Sequence, residues 1–319
     1  MKLGILGTGL IVHEVLPMLD ILHLEKLYIL GTEHSVEKTQ KLCKTYRMDG
    51  CFFNYDEMLD ADIDTVYIAL PNHLHFSFAQ KALAKNKHVI LEKPITVTLN
   101  ELQELARIAK ERHLILVEAM SLHHTPAYKS IRGKISDLGK IKLVNFQFCQ
   151  YSSRYDAFKE GKITPAFDPR CAGGALMDLN IYNLHAIIGL FGKPKTAHYL
   201  PNMERGIDTS GILTLDYGDF KAAAVAAKDC QAPVSSTIQG NKGCIRIQVP
   251  MNQIESYDLS DNRKNSRTFD FHENAHRLSY EFLEFDRMIR DQDFKKAEEL
   301  MEISMAATEI LEQNRPYTI

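Results

Sequence analysis

The sequence predicts an α/β chain in two domains, on three observations. From residue 1 to about 120, short apolar runs alternate with helical patterns, as βαβ units and a parallel sheet require. From about 121 strand patterns dominate, and tight turns join several of them as in an antiparallel meander. The length, 319 residues, exceeds one ordinary core.

Composition excludes several classes. Charged and apolar fractions of 25% and 45% are those of a soluble globular protein. With 38 basic against 41 acidic residues the net charge is −3, so no basic excess argues for nucleic acid. No apolar run approaches the ~18 residues of a membrane span. The stretch Met1-Lys2-Leu3-Gly4-Ile5-Leu6-Gly7 meets glycine too early for a signal peptide and reads as a first strand. Six scattered cysteines with no C-x-x-C pair read as reduced thiols in a cytoplasmic protein, not as disulfides or zinc ligands.

Taken in order, the predicted strands of the first half are Lys2–Leu6, Leu27–Leu30, Cys51–Phe53, Thr65–Leu70, Val89–Leu91 and Leu114–Val117. Helical patterns at Val36–Tyr46, Phe76–Lys85 and Leu99–Glu111 lie between them. The first turn, Gly7-Thr8-Gly9-Leu10-Ile11-Val12, carries two of the three small residues of a dinucleotide fingerprint. The following helix offers N–H groups and a positive dipole end to a pyrophosphate. Val12 at the third position requires looser packing of helix on strand. Any glycine turn between strand and helix matches such a partial fingerprint, but its place at the head of a βαβ run favours a cofactor.

The second strand ends at Leu30-Gly31-Thr32-Glu33-His34. Glu33 suits the hydroxyls of an adenine-side ribose, and no arginine stands near for a 2′-phosphate, which favours NAD over NADP. The bland alternative is a solvated glutamate, and a protonated His34 would suit a phosphate. Leu70-Pro71-Asn72-His73-Leu74-His75 ends the fourth strand and places Asn72 and His75 in the same crevice, with helix capping a compatible role for Asn72. No carboxylate or cysteine joins His73 and His75 at ligand spacing, so no metal site is expected. Leu91-Glu92-Lys93-Pro94 closes the fifth strand. Pro94 forces Lys93 out of helical space and fixes its ammonium at the carboxyl end of a strand, where open α/β sheets bind ligands. An ordinary salt bridge is the alternative for Lys93.

In this order and spacing, Gly-Thr-Gly, Ala-Leu-Pro-Asn-His-Leu-His, Leu-Glu-Lys-Pro, Glu118-Ala119-Met120 and Gly173-Gly174-Ala175-Leu176-Met177-Asp178 resemble the glucose–fructose oxidoreductase/inositol dehydrogenase (Gfo/Idh/MocA) family. The resemblance covers nearly the whole chain. It implies a Rossmann domain, 1–122, and a substrate-binding and oligomerisation domain of α+β type, 123–319, with a large, mostly antiparallel sheet. It implies Gly7, Thr8, Gly9, Leu10, Ile11, Glu33, His34, Leu70, Pro71, Asn72, His75, Glu92 and Lys93 at NAD or NADP. It places Lys93 beside the nicotinamide and the reacting carbon, often after a cis lysine–proline bond. It also implies that a C-terminal helix, about 294–313, packs between the domains.

In the second half a helix pattern, Pro126–Leu138, precedes strand candidates Lys140–Phe148, Ala197–Leu200, Gly211–Tyr217, Phe220–Ala227, Ser235–Gln239 and Cys244–Val249. Two helical patterns, Ala275–Asp291 and Phe294–Gln313, end the chain. Phe167–Gly174 leads into a helix starting near Ala175. On it Asp178, Tyr182 and His185 recur at i, i+4 and i+7, one narrow face at about 100° per residue. An Asp, Tyr and His on a helix with few charges read better as a site than as a solvated face.

Many members of the family carry histidine where this chain has Tyr182, glycine for Asn180 and arginine for His123. Tyr182 is similar to the branch with glucose–fructose oxidoreductase and dihydrodiol dehydrogenases, which leaves the substrate open. The expected reaction moves hydride between the nicotinamide and a secondary alcohol or ketone of a sugar, polyol or dihydrodiol. Tyr182 is the proton acceptor, with Lys93 lowering its pKa from about 10 where the domains meet. Asp178 binds substrate hydroxyls, and His185 lines the same pocket. Rival readings are a non-catalytic NAD(P)-binding sensor, which would need neither Lys93 nor Asp178, and an isomerase or transferase that retains its cofactor. A homodimer or larger is expected, through a sheet face not covered by helices.

Overall fold

The computed structural model describes residues 1–273 and 276–318. They form two compact units, Met1–Ala119 with Leu278–Met305, and Met120–Arg277 with the chain from Ala306 onward. The division therefore differs from contiguous domains at 1–122 and 123–319. The reason is hydrophobic: Leu278, Phe282, Phe285 and Met288 are buried in the core of the first unit. The predicted helix start at Ala275 lies outside the described residues, and the helix observed is Ser279–Arg290.

The first unit holds six strands: β1 (Lys2–Leu6), β2 (Lys26–Leu30), β3 (Gly50–Phe52), β4 (Thr65–Ile68), β5 (His88–Glu92) and β6 (Leu116–Ala119). They run parallel in the order β3-β2-β1-β4-β5-β6. Strand alternation sends neighbouring residues to opposite faces. Ile5, Tyr67, Ile90 and Val117 join one core with Val12 and Val15 of the helix Leu10–Val15 and with Phe282. Leu6, Ile68, Leu91 and Leu116 join the other, with Ala79 and Leu83 of the helix His75–Ala84 and Leu102, Leu105 and Ala109 of the helix Leu99–Glu111. Each such aliphatic side chain contributes roughly 1.5–3 kcal/mol over its exposed state. The last helix starts where its sequence dictates: Thr98 accepts from the Glu101 N–H, and the Glu101 carboxylate accepts from the Thr98 N–H at 3.2 Å.

Register sets the site. Leu6 pairs with Leu30 and Ile68, Ile68 with Leu91, and Glu92 with Ala119. The strands thus end together, and β1 separates two runs of opposite order, the switch point at which such sheets bind ligands.

The second unit carries an eight-stranded sheet: β7 (Ile141–Cys149), β8 (Thr196–Glu204), β9 (Ile207–Asp216), β10 (Lys221–Ala227), β11 (Ser236–Gly240), β12 (Gly243–Ile247), β13 (Ser256–Asp261) and β14 (Ser266–Asp270). The order is β14-β13-β12-β11-β7-β10-β9-β8. It is mostly antiparallel but not a simple meander. β7, first in the chain, lies between β10 and β11 and pairs parallel with β10, so the chain after β10 must cross its end. β13 and β14 escaped the sequence because these outer strands are mostly exposed or half-buried and lack a period-two apolar signal. Val144, Phe146, Phe148, Leu213, Ala224, Ile238 and Ile245 line the buried face.

Candidate active site

In the first unit the glycine turn follows β1 directly. Gly7 has φ +107°, and a Cβ there would lie 2.6 Å from the Ala69 carbonyl oxygen, so only glycine fits. At Gly9 a Cβ would meet nothing within 4 Å. The helix Leu10–Val15 has no side-chain cap, which leaves its first N–H groups to a ligand. Leu10 projects outward and Val12 is fully buried. An open backbone cradle ahead of uncapped N–H groups fits a dinucleotide pyrophosphate. Lys38, in the helix Val36–Thr45 that follows the turn after β2, donates to the Thr8 carbonyl, a tie that the sequence did not signal. In the turn after β2, Glu33 and His34 are exposed on a short helical turn closed by Thr32 and Ser35.

After β4, Asn72 is the first residue of a 3₁₀ turn, Asn72–Leu74, and the cap position of the next helix is Leu74. Asn72 therefore does not occupy the capping position open to it in the sequence reading. His75 is fully buried, with Nδ1 2.9 Å from the Pro94 carbonyl and Nε2 2.9 Å from the Leu70 carbonyl. Burial pushes its pKa down, against the two carbonyls that favour the imidazolium. His75 thus ties the turn after β4 to the residue that follows Lys93.

Lys93 stands half-buried at the carboxyl end of β5, and the Lys93–Pro94 peptide is cis. Its surroundings are held by Glu92 and Glu118, which belong to the sequence motifs, and by Tyr67 and Ser304, which the sequence did not signal. The Tyr67 hydroxyl donates to Glu92 Oε1 at 2.5 Å, and the Lys93 N–H to Oε2 at 3.3 Å. Buried Glu118 accepts from the Ile95 N–H at 3.0 Å and from the Ser304 hydroxyl at 2.6 Å. Pro94 and Ile95 are therefore pinned from both sides.

In the second unit the helix Ile181–Phe191 is preceded by a wide i→i+5 turn, Leu176–Asn180. Such turns are rare and frequent at functional sites. Asn180, where the family pattern has glycine, donates to the Ala224 carbonyl at 2.9 Å. Asn183 donates to Asn180 Oδ1 at 3.0 Å and to the Val225 carbonyl at 3.1 Å, docking the helix on β10.

Along this turn and helix the three residues of the expected stripe differ in burial. Asp178 and Tyr182 stay partly exposed, whereas His185 is 1% exposed with Nδ1 3.2 Å from His123 Nε2. Tyr182 packs on Phe148, ring centroids 5.9 Å apart, beside Ala175, Leu179 and Ala226.

Two further residues were missed. Asp178 Oδ2 accepts from Lys228 Nζ at 2.8 Å, and that lysine side chain is 2% exposed. Asp208, fully buried, accepts at Oδ2 from the Leu176 N–H at 2.7 Å and the Tyr199 hydroxyl at 2.8 Å. It explains the second motif glycine: Gly174 has φ +97°, and a Cβ there would lie 2.0 Å from Asp208 Oδ1. A lysine directly after the small apolar run Ala222–Ala227 was the available signal for Lys228.

Comparison with known proteins agrees with this geometry. Residues 1–120 match the family model described as oxidoreductase family, NAD-binding Rossmann fold. The uncharacterized oxidoreductase YgjR of Escherichia coli is 32% identical over 77% of this chain and 76% of its own. The scyllo-inositol 2-dehydrogenase (NADP(+)) IolU of Bacillus subtilis is 28% identical over 98% and 96%. A 3-ketoreductase of Actinomadura kijaniata, solved with NADP, shares the fold at TM-score 0.81 and 18% identity, over 98% of this chain and 96% of that one. With its glycine turn at the switch point, its Glu-Lys-Pro strand end and these relatives, the chain belongs to the Gfo/Idh/MocA family of NAD(P)-dependent oxidoreductases.

Proposed function

We propose that the protein transfers hydride between NAD(P) and a secondary alcohol or ketone of a sugar, polyol or dihydrodiol-like substrate. The observation that carries this reading is Lys93 at the carboxyl end of β5, its flanks pinned by His75, Glu92 and Glu118. The bound nicotinamide supplies the hydride chemistry. Gly7, Thr8, Gly9, Leu10 and Ile11 hold the pyrophosphate. Leu70, Pro71, Asn72 and Glu92 border the nicotinamide side, and His75 shapes that border from within the core. Tyr182 takes the alcohol proton and returns it in reduction. Lys93 supplies the positive charge that a phenolate or a developing alkoxide needs. Asp178 accepts hydrogen bonds from substrate hydroxyls, with His185 behind it.

Of the two dinucleotides we favour NADP over the NAD that Glu33 alone suggested. His34 and Ser35 in the same turn, with Lys38 in the helix that follows, suit a 2′-phosphate, while exposed Glu33 is free to point into solvent. The names of IolU and of the ketoreductase complex support this choice. Tighter binding of NADH than NADPH, followed by nicotinamide fluorescence, would reverse it. Leu143, Leu200 and Ile212 are exposed on the sheet of the second unit and support the expected homodimer, which light scattering checks. All six cysteines are free, in keeping with a reducing, cytoplasmic setting. Among the described residues no helix is long and apolar enough to cross a membrane.

The test is turnover of a panel containing scyllo-inositol, other polyols, sugars, nucleotide-linked sugars and trans-dihydrodiols with NADP or NAD. Lys93→Met and Tyr182→Phe should each lower kcat by ~10²–10⁴-fold on the substrate found. Near-normal turnover in Lys93→Met would sink the mechanism. Absence of turnover across the panel, with dinucleotide still bound, would favour the sensor.

A further inference from the structure

Lys228 directly follows β10, a strand of small apolar residues after Lys221, and its side chain is 2% exposed. Burying an ammonium costs several kcal/mol unless partners replace its water. Here three do so. Asp178 Oδ2 accepts at 2.8 Å, the Ala166 carbonyl accepts at 2.5 Å, and the face of Phe167 lies under the charge at 4.4 Å to the ring centroid. One side chain thus joins the end of β10, the loop before the two glycines and the wide turn that carries Asp178.

The pair is asymmetric. The lysine is enclosed, while the Asp178 side chain is 31% exposed. A bridge serving packing alone could be replaced by well-packed apolar groups with little loss or some gain. Here the cation is committed inside and the anion is presented outward. The other ionisable groups around the ammonium have partners of their own. Asp208 Oδ2 is taken by the Leu176 N–H and the Tyr199 hydroxyl, and Asp229 Oδ2 by the hydroxyls of Thr209 and Ser210 at 2.7 and 2.9 Å. The Tyr317 and Tyr199 phenols, held up by burial, stay neutral.

We propose that Lys228 is a positioning residue of the active site, whose buried ammonium holds Asp178 as an anion in one orientation for substrate hydroxyls. The proposal rests on the reading of Asp178 as a substrate ligand. An ionised carboxylate only accepts hydrogen bonds, so this site selects a substrate that offers a hydroxyl donor and leaves proton transfer to another group. A neutral Asp178 would offer a competing proton and a second rotamer.

The experiment titrates the Asp178 carboxyl carbon by NMR in the full-length protein, its resonance identified by loss in Asp178→Asn. In Lys228→Met the midpoint should rise by about one to three units, the usual effect of removing an adjacent opposite charge. The acid limb of kcat/KM on the panel substrate should rise with it, while NADPH affinity stays within about twofold. Lys228→Gln, which keeps a hydrogen bond but no charge, gives the same titration if the methionine variant misfolds. An unmoved midpoint in the folded variant overturns the proposal whatever the turnover. A moved midpoint with wild-type turnover in Asp178→Asn leaves the pair standing and overturns the placement of Asp178 at the substrate instead.

Discussion

Replacing Asp208 by asparagine should change how stability depends on pH more than it changes stability at any one pH. Burial raises the Asp208 pKa from 3.8 to about 6, opposed by the Leu176 N–H, the Tyr199 hydroxyl and the charge of Lys228. Oδ1 has no hydrogen-bond partner among the described residues. A folded-state pKa above the unfolded one means that the native state binds the proton more tightly. The group's stabilising contribution is therefore full below pH 4 and is lost as pH rises through about 6. A shift of about two units at about 1.4 kcal/mol each gives a loss of about 3 kcal/mol across that window. The side chain is fully buried, so no solvent screening reduces the figure. The amide introduced by Asp208→Asn does not titrate. Whatever offset it brings, the stability difference between Asp208→Asn and wild type should move in favour of the variant by about 3 kcal/mol between pH 4 and pH 7. Urea unfolding of both proteins, followed by circular dichroism at unit pH steps, measures that difference with all other titrations cancelled. Two curves that stay parallel from pH 4 to pH 7 would refute the reasoning.

Other consequences follow from the first unit. His75→Phe should cost about 1–3 kcal/mol at pH 8, because whichever of the Leu70 and Pro94 carbonyls accepts the single N–H of the neutral imidazole loses its donor. Since burial depresses the His75 pKa, its contribution is present above the unfolded value of about 6.5 and is lost as pH falls. The gap in urea midpoint between wild type and His75→Phe should therefore narrow on acidification. Glu118→Gln removes the charge behind the bonds from Ile95 and Ser304 and should lower thermal stability by about 1–3 kcal/mol, read by calorimetry, with kcat falling as Lys93 loosens. Gly7→Ala forces a Cβ against the Ala69 carbonyl at a positive φ and should abolish measurable NADPH binding. Retained affinity would show that the turn does not hold the pyrophosphate.

Sequence alone determined what depends on local order. Alternating apolar runs specified a parallel sheet, a glycine turn after the first strand marked its ligand end, and Pro94 fixed where Lys93 leaves β5. These signals are legible because backbone sterics and the two periodicities act within a few residues. Tertiary structure decided what depends on partners far along the chain. β7 lies between strands that follow it by more than seventy residues, so turn signals between neighbours did not reveal the parallel pair. Within the wide turn Leu176–Asn180 the side chain of Asn180 docks on β10, and His185 is buried beside His123, sixty-two residues earlier. Lys228 reads in sequence as an ordinary strand-end charge, and only folding encloses it beside a carboxylate fifty residues earlier. Desolvation is the physical reason: what a charged side chain does depends on what replaces its water, and that is fixed by tertiary contacts, not by neighbours in the chain.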